Sequence, residues 1–494
     1  MLDFNKKKYV SLDNLSKFSG MMQKALSDKL KNVETNLNEK IDSRFKSLTA
    51  KEQGDSEVID ARNGEVSLGA RLEKIEDLSD TLSNTTDNII MRFEGTTEYL
   101  YNNIKEVDSY INKKIVRVEK LGVVPGTSGN PQENARIIQE YINKTNGDCI
   151  LVFDNDIYLV DSIDFGTKRN ITLCGFSSSF ASTMNKNINT GKIADTFTKI
   201  VSCCPPGETL FKHNNCVFVF DKLGFYGYDE NSGLGTGYKK PIFLLSVSEE
   251  NTTKGKVFAT DCCFYGFKVA FGDKYTYNHL EMELGTNLPV PSKLQQTCVV
   301  ANRCRFLHNG IAINQNVDGR LVDCSFNKND YAMVFRQSSG FSTISSCRIE
   351  WNNCIGICAE QAHDITVTSC EFDRNGQNGI YISKCLNSNF SDNVFRRNGA
   401  MDELDPSNYE YNSHIFFYQN TNCMLSSNTT VAKHILDTSS GGKTRPSNVS
   451  SIEGNESCII VNNMLVGCTK SDKLLANRLS GNTNCVIKNN IPDV

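Results

Sequence analysis

Two acidic residues, Glu350 and Asp373, each stand one place after an apolar anchor in a repeated phrase. If the phrases stack, the two carboxylates become neighbours one coil apart, about 4.8 Å in backbone spacing. Carboxylates that close repel, so one pKa is expected to rise, and the pair could serve as acid and nucleophile or base in glycoside hydrolysis. The next position holds Trp351, the only Trp of the chain. An exposed indole, with an apolar face and a polar edge, suits stacking on a sugar ring. Arg348, Arg374 and Arg397 surround these residues. Their guanidinium forks can contact a phosphate polymer; alternatively Arg374, Arg396 and Arg397 simply neutralise the acids, and Arg348 pairs with Glu371 on the surface. The neighbouring pair His363–Asp364 is set aside, because adjacent residues of a strand face opposite ways.

The phrase that would position these groups recurs five times: CRFLHNG, CSFNKND, CRIEWNN, CEFDRNG and NVFRRNG. Its anchors Phe306, Phe326, Ile349, Phe372 and Phe395 follow at spacings of 20, 23, 23 and 23 residues. A fixed period of this length marks a solenoid, in which each repeat buries its apolar face only by stacking on the next. Within the phrase, Cys347 and Ile349 alternate with Arg348 and Glu350, as a pleated strand requires. Further short strands are expected at Arg320–Val322, Ser342–Ile344 and Asp364–Val367, and after the phrase at Gly310–Ile313, Tyr331–Phe335, Gly356–Cys358 and Gly379–Ile382. Three strands in about 22 residues predict a mainly β fold, a right-handed parallel β-helix.

An Asn follows every anchor by three residues: Asn309, Asn329, Asn352, Asn375 and Asn398. Asn tolerates the left-handed backbone of a tight turn, and stacked Asn side chains can bond along the axis. All 19 Cys lie at or after Cys149. The column Cys304, Cys324, Cys347, Cys370 falls on inward positions, where Cys is a small apolar filler, and free thiols fit folding in a reducing cytosol. No Cys or His pattern has zinc spacing, no Asp triplet suggests calcium, and no GxSxG, HExxH or phosphate loop occurs, so neither metal nor cofactor is expected.

A formal net charge of -4 gives no general reason to expect nucleic-acid binding. No secretory signal or membrane-spanning stretch is visible, so the protein is expected to remain inside the cell that makes it or to leave by lysis.

The first 121 residues are of another kind. Apolar residues recur at steps of three and four, first Leu26, Leu30, Val33, Leu37, Ile41, Phe45 and Leu48, then Leu100, Ile104, Val107, Ile111, Ile115 and Val118. A helix with one narrow apolar seam has nothing to bury alone, so self-association is expected, with three strands favoured over two. The division read from the chain is a helical attachment segment (1–53), a linker module (54–72), a coiled-coil stalk (73–121) and the β-helix (122–494). Within the β-helix, a capping helix is expected at 131–143, irregular loops at 177–300 and regular coils at 301–400. Tyr226, Tyr228, Tyr275 and Tyr277 are candidate contacts in the loops, with later insertions at Asp402–Tyr411 and Ser439–Asn448.

Two stretches resemble known families. EVIDARNGEVSLGARL (Glu57–Leu72) is similar to a short module of tail, baseplate and neck-appendage proteins from phages of Gram-positive bacteria. Residues 122–175, with GVVPGTSGNPQENARIIQEYINKTNGDCILVFDNDIYLVDSIDF followed by ITLCGF, resemble the start of the pectate-lyase-like β-helix family. The Pro-Gly turn usual before the tyrosine is replaced here by Asp154–Asp156. The order of helix, linker, capping helix and β-helix is similar to phage tailspikes and pre-neck appendages. The resemblance implies a homotrimer in the virion, made in the host cytoplasm and attached to neck or tail proteins through its N-terminal part. It implies recognition, and often cleavage, of host cell-wall glycan or teichoic acid; membrane and nucleic-acid partners are not expected from the hydropathy and charge. Two alternatives stay open: the same appendage acting as a depolymerase, or a purely structural fibre.

Overall fold

The computed structural model describes residues 115–145, 148–176, 198–229, 234–235, 243–247, 255–272, 297–314, 316–336, 339–399, 413–431, 448–466 and 477–490, and scattered helical positions between 31 and 43 and between 73 and 84. The chain divides into two units, Met1–Lys113 and Lys114–Val494. In the first, the described positions are helical, and the Thr35 and Thr81 hydroxyls each donate to the carbonyl four residues back. The module Glu57–Leu72, most of the apolar seam, Tyr275, Tyr277 and the Asp402–Tyr411 insertion lie outside the described residues.

The second unit is built of three parallel sheets. Each coil visits them in turn, so neighbours within a sheet are one coil apart in sequence. Among the described residues the first sheet has 13 strands, from Ile115–Arg117 to Val486–Lys488. The second and third have 11 each, starting at Ile157–Val160 and Ile163–Thr167. Such a parallel β-helix follows from the alternation in each short strand, because one face can be buried only against the other two sheets of the coil. The anchors form one unbroken column in the second sheet: Phe225, Phe264, Phe306, Phe326, Ile349, Phe372 and Phe395 are in register and fully buried. Their rings stack at the rung spacing, 4.6 Å between Phe306 and Phe326 and 4.7 Å between Phe372 and Phe395. Burying each ring contributes about 1.5–3 kcal/mol.

The corners differ from expectation in one respect. The left-handed residue is the one before each Asn: His308, Lys328, Trp351, Arg374 and Arg397 all have φ between 54° and 58°. The Asn itself turns inward and is fully buried. Its Nδ2 donates both to the next Asn Oδ1, as from Asn329 to Asn352 at 3.0 Å, and to an anchor carbonyl of the coil below. Its Oδ1 accepts from the backbone N–H and the Nδ2 of the Asn below. The turn needs its buried backbone donors satisfied more than it needs a residue at ease with positive φ.

Cys304, Cys324, Cys347 and Cys370 are buried and unbridged, and each thiol donates to a carbonyl two residues back. At the next coil Asn393 takes over the column: its Oδ1 accepts from the Cys370 N–H, and a second ladder runs on through Asn428, Asn463 and Asn490.

Two short helices precede the coils, α1 (Val118–Leu121) and α2 (Pro131–Thr145). In α2 the face Ala135, Ile138, Ile142 is buried, covering the end of the core. Pro at its first position and the Asn130 carboxamide, which accepts the Glu133 N–H, start it.

The span 177–300, read as irregular loops, is corrected by the structure. It contains coil strands Lys199–Ser202, Thr209–Asn214, Val217–Asp221, Gly224–Tyr226, Phe243–Val247, Gly255–Thr260, Cys263–Tyr265 and Val269–Gly272, all in the three sheets. Intervening segments of unequal length break the period there without interrupting the stacking. The coils also continue past 400, to Val486–Lys488.

Candidate functional site on the second sheet

The strands of the second sheet are only three residues long in this region, so each presents two outward side chains beside one buried anchor. Register aligns Arg348 with Glu371 and Glu350 with Asp373, then Asp373 with Arg396. The predicted adjacency of Glu350 and Asp373 is therefore present in the backbone.

The two carboxylates sit in different surroundings. Glu350 is 8% exposed. Its Oε1 accepts from Asn327 Nδ2 at 3.4 Å and its Oε2 from Arg348 Nη2 at 3.0 Å. Burial raises its pKa, Arg348 opposes this, and the nearby Asp373 and Glu371 add to the rise.

Asp373, 4% exposed, is held from two sides. Arg397 grips it with both Nε (2.8 Å) and Nη2 (2.6 Å), and Arg374 Nη1 donates at 2.6 Å. Bidentate guanidinium–carboxylate pairs of this kind are among the strong polar contacts. To act as nucleophile or base, Asp373 would have to exchange two guanidiniums for a substrate.

Trp351, expected at an exposed turn, is half-buried at φ 58°, and the Arg374 guanidinium lies 4.6 Å over its ring. Indole, guanidinium, carboxylate and guanidinium thus form one connected series, the first pair with the cation over the ring and the others hydrogen-bonded. Outside it run weaker pairs: Arg348 Nε to Glu371 at 3.8 Å, and Arg396 Nη1 to Glu371 at 3.0 Å. With Arg348 and Arg396 about half exposed, these contribute little to stability.

The same face continues backwards with residues the sequence reading did not select. Lys199, Cys263 and Arg305 fall in the Arg348 column. Tyr226 and Tyr265 fall in the Glu350 column. Lys199 Nζ lies 5.7 Å over the Tyr226 ring, and the Tyr265 ring packs 5.1 Å from His308. Tyr226, read as a loop contact, is a strand residue only 1% exposed. The signal available was the pair of phrases GFYG and CFYG at Gly224–Gly227 and Cys263–Gly266, in which Tyr follows the anchor as Glu350 and Asp373 do.

Among the described residues, no three His, Cys, Asp or Glu side chains gather as a metal site. Among them, no helix is long and apolar enough to cross a membrane.

A family model for the right handed beta helix region matches residues 294–463. The coils are a right-handed parallel β-helix. Solved structures with a similar fold include the enzymatically active domain of bacteriophage CBA120 tailspike protein 2 (13% identity, 75% of this chain and 52% of that one, TM-score 0.48). The Dettilon tailspike protein is also similar (11% identity, 74% and 68% covered, TM-score 0.42). So is DFA-IIIase from Arthrobacter chlorophenolicus A6 without its lid (11% identity, 76% and 94% covered, TM-score 0.44).

Proposed function

We propose that this chain is a tailspike-like virion appendage that adsorbs to host cell-wall polymer through the outward face of its second sheet. The observation that carries the reading is the clamp on Asp373. Arg374 and Arg397 are fixed in place by a carboxylate, with Trp351 beneath and Arg348 and Arg396 alongside. Four guanidiniums stand around three carboxylates, Glu350, Asp373 and Glu371. An anionic polymer such as teichoic acid can bind the surplus cation and the rim arginines while the indole edge meets its sugar or polyol.

The resemblance of Glu57–Leu72 to phage appendage modules supports attachment to neck or tail proteins of a Gram-positive phage through residues 1–53. The seam at Leu26–Leu48 and Leu100–Ile111 supports a homotrimer, whereas Ile115 and Val118, read as its last positions, belong to the first sheet and the core of the β-helix.

A second reading, cleavage of the polymer, is favoured by one observation: burial beside Asp373 raises the Glu350 pKa, the direction that suits a general acid. Asp373 would then be its partner, released from its arginines when substrate binds.

Incubating the purified chain with isolated host walls separates the readings. Binding without loss of polymer mass, weakened at least tenfold in Arg397→Ala, supports adsorption. Shortened polymer, abolished in Glu350→Gln with binding retained, makes it a depolymerase. Neither binding nor cleavage leaves a structural fibre.

A further inference from the structure

A different corner of the coil carries a second surface, where the third sheet passes into the first. Parallel pairing in register aligns Val317, Gly340, His363, Leu386, Thr421, Glu456 and Thr483. The residue after each therefore forms the next column: Asp318, Phe341, Asp364, Asn387, Asn422, Ser457 and Asn484. All seven have φ between 50° and 55°. Six are Asp, Asn or Ser, whose short polar side chains tolerate or locally support such a turn. Phe341 is the exception. A bulky side chain at positive φ is strained, and that strain must be offset elsewhere.

Burial does not offset it. Phe341 is 57% exposed, the largest exposure of any large apolar side chain among the described residues. Among the described residues its ring packs on His363, edge to face at 4.8 Å and 80°. Gly340 makes the approach possible: a Cβ there would lie 1.9 Å from the His363 carbonyl oxygen.

His363 and Asp364 are in turn not the opposed neighbours a regular strand would make them. The left-handed φ of Asp364 breaks the alternation and brings its Oδ2 to 2.8 Å from His363 Nδ1. The dyad is partly exposed (29% and 35%), and the exposed Leu386 lies one coil beyond His363. Beside it the first sheet presents Thr343 and Thr366. Between Arg320 and Lys488 the outward columns of that sheet through Thr343 and Ser345 carry no charged side chain.

We propose that Phe341, His363 and Asp364 form a binding subsite for a neutral pyranose unit. The Phe341 ring takes the C–H face of the sugar. The outer Asp364 oxygen and His363 Nε2 take its hydroxyls, and Thr343 and Thr366 extend the polar track along the first sheet. Asp364 repels phosphates and uronates, so this site selects neutral rings, in contrast to the arginine-lined second sheet. It stands independently of the second-sheet reading.

The test is saturation-transfer NMR on the full chain with three neutral probes (chitotriose, maltotriose and cellotriose) and a glycerol-phosphate oligomer. At least one neutral probe should be saturated. Phe341→Asn keeps a residue suited to the turn and should melt no lower than the parent, yet weaken that probe about tenfold or more. Asp364→Asn should weaken it too, whereas Arg397→Ala should affect only the glycerol-phosphate oligomer. The subsite is overturned if no neutral probe is saturated or if Phe341→Asn leaves the signal unchanged. It is equally overturned if Phe341→Asn changes the oligomeric mass, since a second copy would then cover this corner.

Discussion

Replacing Asn352 by Ala tests whether the Asn ladder holds the coils in register. Asn352 is fully buried. Its Oδ1 accepts from Asn329 N (3.0 Å) and Asn329 Nδ2 (3.0 Å), and its Nδ2 donates to Asn375 Oδ1 (2.7 Å) and to the Phe326 carbonyl (3.3 Å). Truncation leaves two donors of Asn329 without an acceptor in a dry interior. At about 1–3 kcal/mol for each orphaned group, the loss is about 2–6 kcal/mol. Because a solenoid is held by neighbour contacts, the damage should concentrate between the coils that carry Asn329 and Asn375. Calorimetry should show a lowered or split transition, and limited proteolysis should cut first in these coils. Asn482→Ala, at the half-exposed far end of another ladder, should cost only about 0.5–1.5 kcal/mol because water replaces the carboxamide. Equal, small losses in both variants would refute the claim that the ladder is a buried, mutually dependent network.

Other outcomes follow from the charged and titrating groups. Asp373→Asn removes the carboxylate gripped by Arg374 and Arg397, whose side chains are only 11% and 15% exposed, and should cost about 3–5 kcal/mol in thermal or urea unfolding. Glu350 has a folded pKa raised above its usual value near 4.5, so its stabilising contribution is present below that value and lost as pH rises through the folded pKa. Glu350→Gln should therefore be at least as stable as the parent at neutral pH and lose this advantage towards pH 4; a variant less stable at pH 7 would contradict this. Burial pushes His213 and His414 down to about 4 and about 3 from 6.5. The unfolded chain then binds more protons between those values and 6.5, so stability should drop as the pH is lowered through that window and stay level above it. His414→Asn, which keeps a polar partner for Asn398 Nδ2, should flatten part of that slope in a pH series of melting temperatures.

Much of the fold was legible because stacking leaves its mark at each rung. Phe306 to Phe395 recur at near-constant spacing, since each must lie over the last. Between Lys199 and Gly272 the same physics was hidden. Phe225, Phe264 and Phe306 are in register although segments of unequal length separate them, and spatial stacking does not require an even sequence period. The outward neighbours Glu350 and Asp373 followed from alternation alone. That arginines could neutralise the acids was also legible; that Arg374 and Arg397 both settle on Asp373 was not, because it depends on rotamers at corners where φ is positive. For the same reason strand logic separated His363 from Asp364, while the turn at Asp364 joins them.

The most direct test of the central claim is a crystal structure of the chain soaked with a short teichoic-acid or wall-glycan fragment. The account predicts density on the outward face of the second sheet, in contact with Arg374, Arg397 and the Trp351 edge. A fragment seated only elsewhere, with the Asp373 clamp untouched and Arg397→Ala binding walls as the parent does, would contradict it.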